Sequence, residues 1–182
     1  MQTTFVAAAE KVGAVARACA TLEQVVAYLA ERVQGALLLP PCPSLQRLDL
    51  ASRLRKAGVV VVDGDFRSRA PAAAAGLTGS NFAIAMTGTL VLESTAEAVR
   101  LATTLPETHF VLLDPRKIVA DSTAAVPLLR QLHQCLPQTY LAYITGPSRT
   151  ADIERVLTIG VHGPKELHIL LCEGVSDDFL ES

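Results

Sequence analysis

The densest chemistry in this sequence lies between residues 145 and 164, TGPSRTADIERVLTIGVHGP. Two turn clusters, Gly146-Pro147-Ser148-Arg149-Thr150 and Gly160-Val161-His162-Gly163-Pro164, bracket a segment with an apolar stripe. Glycine permits positive φ and proline fixes φ near the turn value, so both clusters read as sharp turns. A short helix on the spacing of Ile153, Val156 and Leu157 would aim its first-turn amides at an anion. Ser148 and Thr150 would add hydroxyl donors, and Arg149 a bidentate fork for a carboxylate or phosphate. The same residues fit a structural arrangement, with Ser148 and Thr150 capping the helix and Arg149 paired to Asp152 or Glu154. His162 can act as acid, base or donor near neutral pH, or it can hold its turn shut through backbone hydrogen bonds. Lys165 either reaches an acidic ligand or faces solvent.

An upstream block offers Thr78, Gly79, Ser80 and Asn81, then Thr87, Gly88 and Thr89, with Glu93 beyond them. Gly88 between two threonines would let backbone approach a ligand closely, with hydroxyls alongside, or would simply make a turn into a central strand. His168 lies in an apolar run and reads as packed or surface-facing. His109 and His133 have no partner at metal-ligand spacing, and no metal site is expected. Cys19, Cys42, Cys135 and Cys172 form no C-x-x-C pair and read as small hydrophobes, so no cofactor is expected in this chain. The P-loop, dinucleotide and G-x-S-x-G signatures are absent.

These residues must be positioned by a chain of 182 residues, enough for one domain spanning 1–182 with a single substantial core. Half of its residues are hydrophobic, yet only 4% are aromatic and tryptophan is missing, so the core must be aliphatic. A formal charge of −2 argues against non-specific nucleic-acid binding. No run of about 18 apolar residues offers a membrane span, and the N-terminus lacks the pattern of a signal peptide, so a cytoplasmic location is expected.

Residues 1–34 read as two helices, one near 4–18 and one opened by the capping pair Thr21 and Gln24. Apolar runs at 36–39, 59–62, 89–92, 110–113, 140–144 and 167–171 read as strands. Between them, helices are expected after a cap at Ser44, at 95–104 and at 124–135, with Gly58 ending the first. Runs that are apolar at every position are buried on both faces, which requires crossover helices. The expectation is an α/β three-layer sandwich with a largely parallel sheet. Residues 140–144 would deliver the 145–164 stretch to the carboxyl end of a sheet strand, where ligands bind in such folds.

GPSRTADIE followed by GVHGP, with the upstream GLT and AIAMTGTLVL, resembles the LUD-domain family, in particular its lactate-utilisation protein C branch. The resemblance covers most of the chain from Gly76 onward. It implies a fold similar to the NagB/RpiA/CoA-transferase group, and an accessory subunit of a bacterial system oxidising L-lactate to pyruvate. The iron–sulfur clusters would belong to a partner protein, and Thr87, Gly88, Thr89, Arg149 and His162 would shape a carboxylate pocket or docking surface. Many relatives carry a carboxylate where this chain has Met86, so no role can be carried over for that group. The alternatives are a stand-alone sugar-phosphate isomerase or acyl-CoA transferase, or a small-molecule sensor. As an enzyme it would take Glu93, Asp152 or His162 as base or nucleophile, with Arg149 and Lys165 holding phosphate.

Overall fold

The computed structural model describes residues 1–135, 138–151, 157–160 and 162–181. The chain opens with helix α1 (Gln2–Lys11), strand β1 (Val15–Cys19) and helix α2 (Leu22–Arg32). The expected first helix therefore stops at Lys11. Gly13, at φ +90°, turns the chain, and residues 15–19 are a strand instead. The α2 cap forms as anticipated: the Gln24 amide donates to Thr21 Oγ1 at 3.4 Å, and Gln24 Oε1 accepts from the Ala20 amide at 2.8 Å.

Strand β2 (Ala36–Leu38), helices α3 (Pro43–Arg47) and α4 (Leu50–Lys56) and strand β3 (Val60–Val62) follow. Ser44 is inside the first turn of α3 rather than capping it, because Pro43 takes the first helical position and Cys42 the cap. After α5 (Phe66–Arg69) come β4 (Ala75–Thr78), β5 (Phe82–Ile84), β6 (Thr89–Glu93), α6 (Glu97–Thr104), β7 (Thr108–Leu113) and β8 (Ile118–Val119). The chain then forms α7 (Ser122–Cys135), β9 (Leu141–Ile144), β10 (Arg149–Ala151), β11 (Leu157–Ile159) and β12 (Glu166–Cys172).

Six strands make a wholly parallel sheet in the order β1-β12-β7-β4-β2-β3. Alternate residues along each strand serve opposite faces, as the strand period of two requires. Leu77, Phe110, Leu112 and Leu170 join the core under α2 and α4, whereas Val111, Leu113, Ile169 and Leu171 meet Phe5 and Ala9 of α1. α6 lies so close on the second face that a Cβ at Gly76 would collide with the carbonyl of Ala102.

A second, four-stranded mixed sheet, β8-β5-β6-β9, shares that second face with α1 and is covered in turn by α7 through Ala125 and Leu132. Its presence corrects one expectation. Residues 141–144 pair antiparallel with β6, so the 145–164 stretch does not leave the carboxyl end of a parallel strand. Among the described residues no helix is long and apolar enough to cross a membrane.

Candidate functional site

The two turn clusters fold onto each other. The Ser148 amide donates to the Pro164 carbonyl and the Ser148 carbonyl accepts from the Gly160 amide, both at 2.9 Å. A Cβ at Gly163 would lie 3.0 Å from that of Ser148. Arg149–Ala151 and Leu157–Ile159 then pair as an antiparallel hairpin. Leu157, expected in a short helix, begins a strand instead, and Thr150 sits opposite Thr158 in the ladder. Asp152, Ile153, Glu154 and Val156 lie outside the described residues, as does Val161.

Part of the signature packs on α1. The Arg149 guanidinium donates to the Val12 carbonyl at the end of that helix. Gly146, at φ +75°, lies where a Cβ would strike the same carbonyl, and a Cβ at Gly88, at φ +65°, would strike the backbone of Ala8 and Ala9. The close approach that Gly88 permits is thus to the protein's own first helix. Thr87, Thr89 and Thr145 form a hydroxyl chain beneath it, with oxygens 2.7 and 2.8 Å apart. Lys165 pairs with Glu107 at 2.5 Å on the surface. Met86 is exposed.

Of the expected site residues, Ser148 and His162 line one cavity and Glu93 another, while Lys165 borders a further one with His162. The first, of about 240 Å³, is also lined by Thr104, His109, Tyr143 and Thr145. His162 is exposed there. His109 is fully buried, which pushes its imidazole down to about 3 and keeps it neutral, and its Nε2 lies 2.9 Å from Thr78 Oγ1. His168, as anticipated, is packed: its Nδ1 is 2.8 Å from the Tyr28 hydroxyl and its Nε2 is 2.9 Å from Glu166.

Glu93 borders the second cavity, of about 180 Å³, with Thr78, Gly79, Asn81, Cys42 and Glu181. Glu93 Oε1 accepts from both the amide and the hydroxyl of Thr95, and its own amide donates to Asn81 Oδ1 at 2.7 Å. This crevice sits beyond the carboxyl ends of β2 and β4, adjacent strands of the parallel sheet. At its floor Lys117, with a side chain 2% exposed, pairs with Glu181.

Glu181 Oε2 accepts from the Cys42 thiol and the Ser44 amide, each at 3.3 Å. Burial pushes the Glu181 carboxyl up, but the charge of Lys117 and the hydrogen bonds from Lys117, Ser44 and Cys42 outweigh it, leaving the carboxyl below its ordinary value. Burial and the neighbouring Glu181 charge push the Cys42 thiol up, so it stays a protonated donor. Sequence reading had Cys42 as a packing residue and passed over Lys117 and Glu181. Only the fold brings residues 42, 79, 117 and 181 together, although Thr78, Gly79 and Asn81 stood in the upstream block.

Helices over one face of a parallel sheet, a small mixed sheet over the other, and a polar crevice at the strand ends define the class: an α/β protein with its candidate ligand site at the carboxyl edge. The LUD domain family model matches residues 3–172, and the chain belongs to that family. It is 33% identical over 158 residues to lactate utilization protein C of Anoxybacillus flavithermus, covering 84% of this chain and 69% of that protein. It is likewise 33% identical over 152 residues to the Bacillus subtilis protein of that name, covering 76% and 63%. An uncharacterised Neisseria meningitidis protein is 41% identical over 96 residues, covering 53% of this chain and 41% of that protein. The match thus spans about two-fifths to two-thirds of these relatives' own length. Among solved structures, a DUF162 family protein from Deinococcus radiodurans has the same fold, with a TM-score of 0.65 and 17% identity over 94% of this chain and 95% of that one.

Proposed function

We propose that this LUD-domain protein is an accessory component of a bacterial L-lactate oxidation system, in which an iron–sulfur partner takes up the electrons released as lactate is oxidised to pyruvate. The observation that carries the reading is the similarity to proteins named lactate utilization protein C across 76–84% of this chain. Cys19 and Cys172 face each other inside the sheet, Cys42 lies in the crevice and Cys135 ends α7. Among the described residues no three His, Cys, Asp or Glu side chains converge as metal ligands. In this reading the iron–sulfur clusters belong to the partner.

The rival reading, a stand-alone isomerase or acyl transferase, has Glu93 at a cavity in its favour. Its phosphate-holding residues are engaged elsewhere, Arg149 on Val12 and Lys165 on Glu107. The test is genetic. Deleting the gene in its host and measuring growth on L-lactate as sole carbon source should give a defect that the intact gene restores, with growth on glucose unaffected. Undiminished growth on lactate in the deletion strain would overturn the proposal.

A further inference from the structure

The ion pair at the crevice floor is built in an unusual way. Lys117 ends the turn Pro115–Lys117 that follows β7, and its side chain is almost wholly buried. Its carboxylate partner arrives from residue 181, more than sixty positions away, on a segment that is otherwise fixed upstream. Asn81 Nδ2 donates to the carbonyls of Phe179 and Leu180 at 2.9 and 3.1 Å. Asp114 accepts from the amides of Gly174 and Ser176 at 2.8 and 3.2 Å. Phe179 and Leu180 pack on the core beneath α7. The segment is thus held by other groups besides Glu181, whose backbone is held left-handed, at φ +52°, a conformation that disfavours a glutamate.

The Glu181 side chain stands between Lys117 and the open part of the cavity. Lys117 is not among the cavity-lining residues, whereas Glu181 is. Around the carboxylate, three donors of different kinds converge: the Lys117 ammonium, the Ser44 amide and the Cys42 thiol. Gly79 leaves the space clear, since a Cβ there would lie 3.0 Å from Cys42 Sγ and 3.8 Å from Glu181 Oε1. The walls beyond are largely apolar, from Pro40, Leu92, Val99 and Leu180, with Thr78, Asn81 and Glu93 as the polar groups. Burying an ion pair is a poor route to stability, because the desolvation of both charges offsets their attraction.

We propose that this crevice is a binding site for a small monocarboxylic acid, with Lys117, the Ser44 amide and the Cys42 thiol receiving the carboxylate, and that Glu181 is the internal occupant the ligand displaces. A volume of about 180 Å³ falls below the range of pockets for drug-sized ligands and suits an acid of a few carbons. Glutamate here is tethered, so an incoming acid competes with a local concentration on the order of millimolar or more. The apparent affinity of the intact protein is lowered by the fraction of time that Glu181 holds the site. The site stands on this geometry alone and does not depend on the lactate reading.

Isothermal titration of the full chain with sodium acetate, sodium L-lactate and sodium pyruvate, against sodium chloride at equal ionic strength, tests the proposal. Glu181→Ala should bind at least one of the three acids ten-fold or more tightly than the unaltered protein, with a raised Tm in its presence. The double variant Lys117→Met, Glu181→Ala removes both charges and should bind none of them. If Glu181→Ala does not fold in chloride, refolding in 50 mM acetate should recover it, and Glu181→Gln supplies an isosteric variant for the same titration. Equal affinities in the unaltered protein and both Glu181 variants, equal response to chloride, or undiminished binding by the double variant would overturn it. A lactate-growth defect with no carboxylate binding would refute this site and leave the accessory role standing, and the converse result would do the opposite.

Discussion

Replacing Gly88 with alanine tests whether the Thr-Gly-Thr turn serves the fold. Two penalties act at once. An L side chain at φ +65° costs about 1–2 kcal/mol in the left-handed region. The new Cβ also lands on the backbone of Ala8 and Ala9, which cannot swing aside as a side-chain end can. Moving α1 loosens Phe5 and Ala9, both fully buried, and overpacking of this kind costs about 1–3 kcal/mol more. The sum is about 2–5 kcal/mol, a fall in Tm of roughly 4–20 °C for a domain of this size. Gly58→Ala is the internal control, because Gly58 has φ +88° but nothing within 4 Å of its would-be Cβ. It should lose only the backbone part. Urea unfolding of both variants, followed by circular dichroism, gives the difference directly. If Gly88→Ala lies within about 0.5 kcal/mol of Gly58→Ala, α1 does not press on that turn as described.

Three further outcomes follow from the same geometry. Arg149→Ala should cost about 1 kcal/mol or less, since its guanidinium is an exposed donor to one helix-end carbonyl, and should leave carboxylate titrations unchanged. His109 is held neutral in the fold down to about 3, while the unfolded chain takes up the proton near 6.5. The unfolded state therefore binds more protons between those values, so stability is lost as pH falls. The loss from this group is about 2 kcal/mol between pH 8 and 5, and His109→Leu should flatten that part of a pH series of urea midpoints. Burial raises the Asp114 carboxyl, but hydrogen bonds from Arg116 and from the Arg116 and Ser176 amides outweigh it and leave its pKa lowered. Its contribution is present above the unfolded carboxylate value and disappears as pH drops through the folded one. Asp114→Ala should abolish that acid-side dependence and speed proteolysis of residues 174–181, measured by mass spectrometry of timed digests.

The parallel sheet was largely legible because its strands are buried on both faces, which leaves continuous apolar runs at 36–39, 110–113 and 167–171. Strand β1 was not, because its sequence, VARAC, alternates along a sheet edge where Val15 is half exposed and Arg17 lies over the Tyr28 ring. Its alanines continue a helical-looking run, and Gly13 alone marks the break. The second sheet was hidden for a related reason: β5 and β8 have three and two residues, too short for a period to register. Around 145–164, glycine and proline correctly announced turns, but sequence cannot say what a glycine makes room for. At Gly88 and Gly146 it is α1. The crevice at Lys117 was invisible because its receptor groups are spread from residue 42 to 181 and only the strand order gathers them.

The central claim is partnership in lactate oxidation, and affinity purification from the native host grown on L-lactate tests it most directly. The expected result is a brown complex containing a cysteine-rich iron–sulfur protein, with visible absorption that bleaches on addition of dithionite and with lactate-oxidising activity. A colourless protein recovered alone, from cells whose lactate oxidation is unchanged by its deletion, would contradict it.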